Sequence, residues 1–227
     1  METLATYKVS IVLPLPIVIG IVIMEVQNRI RQKADELFRR YGIRSVTMDE
    51  IATQLGMSKK TIYQYYTDKD QLVDAVAVDE IQFSQESCLK DAAISANAIE
   101  EIFRVMEFVE VMFRNMNPSM LHDLEKYHPL GYKKFLDHKN KFLYEMVKKN
   151  IERGIKEELY RPEIDVEIMS RFRLESMMFA FNSELFPPSK FNLVKIHHEI
   201  LENFLYGVST LKGYKLILKY KQQRLNG

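Results

Sequence analysis

The stretch Thr47–Tyr66 reads TMDEIATQLGMSKKTIYQYY and decides the fold. Thr47 stands where a hydroxyl can accept from the free amides of a starting helix. Glu50, three residues on, can return the bond, and such a capping box is worth about 1 kcal/mol. The helix it opens is expected to run to about Leu55. Gly56 then makes a sharp reversal, which wants a positive φ that glycine adopts without strain. Met57 points back to the core, and Ser58 caps a second short helix through Lys59, Lys60, Thr61, Ile62, Tyr63 and Gln64. Ala52 is small where the two helices cross closely. Two short helices around a tight glycine turn make a helix-turn-helix, motif 47–66.

The flanking sequence supplies the packing base. Val26, Ile30, Ala34, Leu37, Phe38 and Tyr41 recur at spacings of three and four, which predicts one apolar face of a helix beginning at Met24. Arg29, Arg31, Lys33, Arg39 and Arg40 lie opposite, and Gly42 is a left-handed stop. Downstream, Thr67 with Asp70 opens a third helix, Leu72 to about Lys90. Ile51, Leu55, Met57 and Ile62 are expected to pack on Leu37 and Phe38. The second short helix is then left with an outward face of Lys59, Lys60, Thr61, Tyr63 and Gln64, groups suited to phosphates and base edges. Tyr63 and Tyr65 cannot both face inward with Ile62, so at least one is exposed. The chain carries a formal net charge of +1. Between Arg29 and Lys69, however, nine basic residues face five acidic ones, the electrostatic footprint of a DNA binder.

The run LFRRYGIRSVTMDEIATQLGMSKKTIYQYYTDKDQLV, Leu37–Val73, resembles the tetracycline-repressor (TetR) family of bacterial helix-turn-helix regulators. The family pattern is met by Tyr41-Gly42, Thr47, Ile51-Ala52, Gly56-Met57-Ser58, Ile62-Tyr63, Tyr65-Tyr66 and Lys69, all in one unbroken stretch. Lys60 departs from it, standing where many members have Gly or another small residue, and Tyr66 stands where Phe is usual. By position the resemblance implies that Thr47, Ser58, Tyr63, Tyr65 and Lys69 hold phosphates. Lys59, Lys60, Thr61 and Gln64 would face bases or flanking phosphates, Gln64 being the best reader of adenine. It also implies a C-terminal ligand-binding and dimerisation domain, residues 85–227, behind a DNA-binding domain of residues 24–84. The last two long helices, about 164–186 and 191–211, would pair with a second copy's. A homodimer on a palindromic double-stranded DNA operator follows, released as a repressor by an apolar small-molecule effector.

The rest of the chain is read as helical throughout, so the fold class is all-α. Of 227 residues 47% are hydrophobic and 28% charged, with only 8 Gly and 7 Pro. Helices are expected at Ile99–Asn115, after Pro118, from Gly131 to about Arg153, and from Pro162 to the Pro187-Pro188 stop. A final stripe is Leu193, Ile196, Ile200, Phe204, Val208 and Leu211. Phe103, Met106, Met112, Phe113, Met177, Met178 and Phe181 are candidates to line an effector pocket, although each alone reads equally as core.

The single cysteine, Cys88, excludes an internal disulfide and fits a reducing cytoplasm. The five histidines show no metal-ligand spacing, and no nucleophile elbow or phosphate loop is present, so neither cofactor nor enzymatic activity is expected. Ile11–Met24 is apolar but short and interrupted by Pro14 and Pro16, too broken for a spanning helix. Residues 1–23 are read as an atypical extension from a misplaced start, a weak membrane or export segment being the rival reading. The alternative function is a helical adaptor of the same fold that binds a protein partner rather than DNA.

Overall fold

The computed structural model describes residues 15–225, and among these the chain is helical apart from its connections and one isolated bridge, Tyr160 to Ser209. Helices α1 (Leu15–Tyr41), α2 (Met48–Leu55), α3 (Lys59–Tyr65) and the first half of α4 (Lys69–Ile94) form the N-terminal unit. Their apolar stripes meet in one core: Ile30, Leu37 and Phe38 from α1, Ile51 and Ala52 from α2, Ile62 from α3, Leu72 and Val76 from α4. Burying one such side chain is worth roughly 1.5–3 kcal/mol, far more than the intrinsic propensity of helices this short.

Four expectations need correction here. The first helix is already formed at Leu15, so Met24 does not open it; of the extension expected at residues 1–23, residues 1–14 lie outside the described residues. Tyr41 is 43% exposed and stacks under Arg40, because Gly42 at φ +83° turns the chain away before that face can close. Asp68, not Thr67, caps α4: its carboxylate accepts from the Gln71 amide at 2.8 Å, and an ionised acceptor outcompetes a hydroxyl there. Finally, α4, expected to reach about Lys90, runs on to Ile94, and this single helix joins the two units.

The second unit contains α5 (Ala98–Phe113), α6 (Met120–Tyr127), α7 (Pro129–Asp137), a π turn (His138–Leu143), α8 (Tyr144–Lys156), α9 (Val166–Met178), a 3-10 turn (Phe179–Phe181), α10 (Leu193–Val208) and α11 (Leu211–Leu225). Gly131 lies inside α7 because Pro129 starts that helix at its first position. The helix expected to reach Pro187 ends at Met178. The last stripe is two helices: Ser209 Oγ bonds back to the Leu205 carbonyl at 2.6 Å, and Thr210 Oγ1 turns to the Glu158 carbonyl at 2.9 Å. Leu211, counted with that stripe, is 71% exposed and begins α11, a helix the sequence reading did not separate.

The second core surrounds Tyr160, which is 0% exposed and held by Asn150 Oδ1 at 3.2 Å. Ile99, Phe103, Ile151, Leu205 and Ile217 close around it. Gly154 permits the approach, since a Cβ there would stand 2.0 Å from the Tyr160 ring. Among the described residues no helix is long and apolar enough to cross a membrane.

Candidate nucleic-acid interface and ligand cavity

The helix-turn-helix is fixed by its own polar groups. Thr47 Oγ1 accepts from the Glu50 amide at 3.1 Å, although Glu50 does not return the bond, so only half of the expected box is made. Gly56 adopts φ +63°, and the Met57 amide closes the turn on the Ala52 carbonyl at 2.9 Å. Ser58 Oγ accepts from the Thr61 amide at 3.1 Å and lies 2.8 Å from the Thr61 hydroxyl. With Ile62 fully buried, α3 turns Lys60, Tyr63 and Gln64 to solvent. Tyr65 is half-buried against the core, so of the two tyrosines it is Tyr63 that faces outward. Tyr66, in place of the usual Phe, gains a use: its hydroxyl accepts from Arg31 at 3.1 Å.

The cations are less available than their number implied. Lys59 pairs with Asp49 at 2.8 Å, and that carboxylate raises the ammonium's pKa. Arg31 pairs with Asp79, Lys33 with Glu36, and Arg39 with both Asp35 and Glu80. Lys69 donates to the Ile43 carbonyl at 2.5 Å and is half-buried, which lowers its pKa. Among the described residues Arg29, Arg40, Arg44 and Lys60 have no carboxylate partner, and of these Lys60 alone stands on α3. Counting charge along the sequence could not separate cations facing solvent from those closed on an acid one helix away.

A clasp of long-range bonds ties the second unit to the end of α1 and the loop before α2. The Arg44 amide donates to Asp123 Oδ2 of α6 at 3.0 Å, and the Asn117 amide donates to the Arg39 carbonyl at 2.6 Å. Below them His128 meets Asp70 at 2.6 Å and Lys134 meets Asp74 at 2.5 Å. Asp123 is only 6% exposed, a buried carboxylate on a helix with no local signal in the sequence, since its partner lies 79 residues away.

Between the two units lies an apolar cavity of about 250 Å³. Five of the seven candidate residues line it: Met112, Phe113, Met177, Met178 and Phe181. Phe103 and Met106 do not. They face a groove shared with α10 and α11, where the Phe103 ring lies 5.4 Å from that of Tyr220 on α11. Phe38 and Ile43 of the N-terminal unit also reach the cavity, as do Met120 and Leu124 of α6, so its wall includes the clasped elements themselves. At the far end His197 is buried against Phe113 at 4.8 Å. Burial, then the nearby Arg173 charge, pushes its pKa down to about 3, so the imidazole is neutral.

Residues 30–76 match the family model for bacterial regulatory proteins of the tetR family. An uncharacterised HTH-type transcriptional regulator of Bacillus subtilis, YvaF, is 31% identical over 104 residues, 44% of this chain and 53% of that protein. The chain thus spans about half the length of the curated relatives it matches, as in a Mycobacterium tuberculosis HTH-type regulator 34% identical over 41% of its length. The fold is shared over most of the chain: a transcriptional regulator of Saccharomonospora viridis, solved with choline, superposes with a TM-score of 0.66 at 16% identity, covering 82% of this chain and 99% of that one.

Proposed function

We propose that this chain, a member of the TetR family by its residues 30–76, is a DNA-binding transcriptional regulator that acts as a ligand-responsive repressor. The observation that carries the reading is the outward side of α3. Lys60, Tyr63 and Gln64 stand clear on a rigid helix capped through Ser58, with Ile62 anchoring it beneath. Such a helix supplies a cation for phosphate, an aromatic hydroxyl, and an amide able to pair with adenine. Thr47, Ser58, Thr61 and Tyr65 hold the frame and add backbone contacts. Lys59 and Lys69 take part by exchanging Asp49 and the Ile43 carbonyl for phosphate.

The protein acts as a homodimer on a roughly palindromic operator. The apolar stripe Ile168, Phe172 and Phe179 along α9 and its following turn supports this: at 63%, 50% and 48% exposed it lacks a cover. The outer side of α10 is polar by contrast, with Lys195, Glu199 and Asn203 exposed, so α9 rather than α10 contributes the apolar part of the dimer.

An effector entering the cavity would press on Met120 and Leu124 of α6, whose Asp123 holds the Arg44 amide. A shift of α6 therefore moves the loop that leads into α2, and a coupling of about 1–3 kcal/mol is enough to release DNA. The test is a gel-shift series on the duplex upstream of the chain's own gene. Specific retardation that weakens for Tyr63→Ala supports the reading. If both Tyr63→Ala and Lys60→Ala bind as the unmodified protein does, α3 is not the docking helix.

A further inference from the structure

The charged residues that wall the cavity are already engaged elsewhere. Arg39 uses all three guanidinium nitrogens, on Asp35, Glu80 and the Met112 carbonyl. Lys139 is closed on Glu175 at 2.8 Å. The weaker polar groups are accounted for as well. His138 Nε2 lies 3.3 Å from Ser84 Oγ, and burial pushes the Cys88 thiol up to about 11, so it stays protonated. Arg173, which is buried and makes no ion pair among the described residues, stands off this wall, its guanidinium over the Phe204 ring of the second core.

His197 of α10 differs. Of the buried side-chain polar atoms without a hydrogen-bond partner among the described residues, only its Nε2 belongs to the cavity wall. The ring is 2% exposed and packs against Phe113 and Phe181, at 4.8 and 5.9 Å, which line the cavity with it. With its pKa pushed down to about 3, the imidazole carries no charge. Two costs then decide what suits the space. A charged head would give up its water and meet no free counter-charge, which is expensive. An uncharged oxygen gives up far less and recovers a hydrogen bond at an atom that otherwise goes unmatched. Water is a poor match, because the Met and Phe sides offer a water chain nothing to hold. An apolar cavity of roughly 150 Å³ takes up benzene, so the present volume of about 250 Å³ suits an octyl chain with one oxygen.

We propose that the cavity binds an uncharged lipophilic molecule whose single oxygen, a hydroxyl or a carbonyl, bonds His197 Nε2 while its hydrocarbon body lies along Phe113, Phe181, Met112 and Met177. Nε2 accepts from a hydroxyl in one tautomer and donates to either oxygen in the other. The body displaces no polar partner, since the wall beside it is apolar. This deepens the ligand-responsive reading above and takes the cavity as effector site from it.

The test is calorimetric titration of the full chain near neutral pH with 1-octanol, 2-octanone, octanoate and octyltrimethylammonium, which match in chain length and differ in head. The tighter of the two uncharged probes is expected to bind roughly tenfold or more tightly than either ion. In His197→Leu that affinity should fall about fivefold, the worth of one hydrogen bond, and His197→Gln, which keeps a polar group there, should restore most of it. An ion that binds as tightly as the uncharged probes would overturn the uncharged head and leave the cavity as an effector site. Unchanged affinity in His197→Leu would overturn His197 as the anchor. Binding of none of the four would remove this inference altogether. Gel shifts at saturating probe judge the effector reading separately: a probe that binds through His197 yet leaves DNA retardation unchanged refutes that reading while the site stands.

Discussion

The pair Lys59–Asp49 makes an expectation that runs against intuition: removing an acid one helix away from α3 should tighten DNA binding. Lys59 Nζ lies 2.8 Å from Asp49 Oδ1, with both side chains more than half exposed, so the pair presents no net charge to an approaching phosphate. Asp49→Asn keeps the shape and removes the competing carboxylate. Each lysine newly engaged on phosphate adds about 0.9 to the slope of log affinity against log salt. Across the decade from 1 M to 0.1 M salt this amounts to about an eightfold gain in affinity per protomer. Lys60→Ala should do the reverse, flattening the slope by about 0.9, since Lys60 has no acid to fall back on. Asp49 also sits in the first turn of α2, where a carboxylate favours the helix by about 0.3–1 kcal/mol, so a thermal melt must accompany each titration. The assay is fluorescence anisotropy on a labelled duplex from upstream of the gene, at several salt concentrations. An Asp49→Asn protein that melts normally yet binds with unchanged slope and affinity would refute the claim that Lys59 is held back from DNA.

Other expectations concern the frame. Gly154→Ala places a Cβ 2.0 Å from the ring of fully buried Tyr160. Overpacking of about 1–3 kcal/mol or more then outweighs the roughly 1 kcal/mol that alanine gains in a helix, so the melting temperature should fall by several degrees. An unchanged or raised melting temperature would mean that Tyr160 moves freely. His197 has a folded pKa of about 3, below its ordinary value of 6.5, through burial first and Arg173 second. A depressed histidine contributes stability that is present above its unfolded pKa and is lost as pH falls toward the folded one. Stability should therefore decline from about pH 6.5 toward pH 3, and His197→Leu should decline less over that window. Melts at four or five pH values decide it, and parallel curves for the two proteins would exclude His197 as the source.

Some of this protein was legible along the chain. The two short helices at residues 47–66 were, because their determinants are local: a hydroxyl before each helix, glycine at the turn, and one apolar residue per turn facing in. Thr47, Gly56, Ser58 and Ile62 act within four residues of themselves, and an interaction of that range is written in order along the sequence. The core stripe of α1 was legible for the same reason. So were Met112, Phe113, Met177, Met178 and Phe181, since apolar residues on amphipathic helices must turn toward some interior. Which interior was not. Phe103 and Met106 share the stripe of α5 with Met112 and Phe113, yet α11 covers them, and α11 was hidden because Leu211 continues the spacing of α10 across the break at Ser209.

Charge followed the same division. The sequence determined how many cations lie near the helix-turn-helix. Only the tertiary structure decided that Lys59 closes on Asp49, Arg39 on Glu80 and Lys69 on the Ile43 carbonyl, leaving Lys60 to stand clear on α3. The same holds for Asp123 on the Arg44 amide and for Arg173 without a carboxylate. Pairing is set by which helix faces meet, often many residues apart, whereas capping and amphipathic spacing are set by neighbours along the chain. The sequence alone therefore carried the helix-turn-helix, and the packing of helices upon it decided which of its charges are available and which apolar residues wall the cavity behind it.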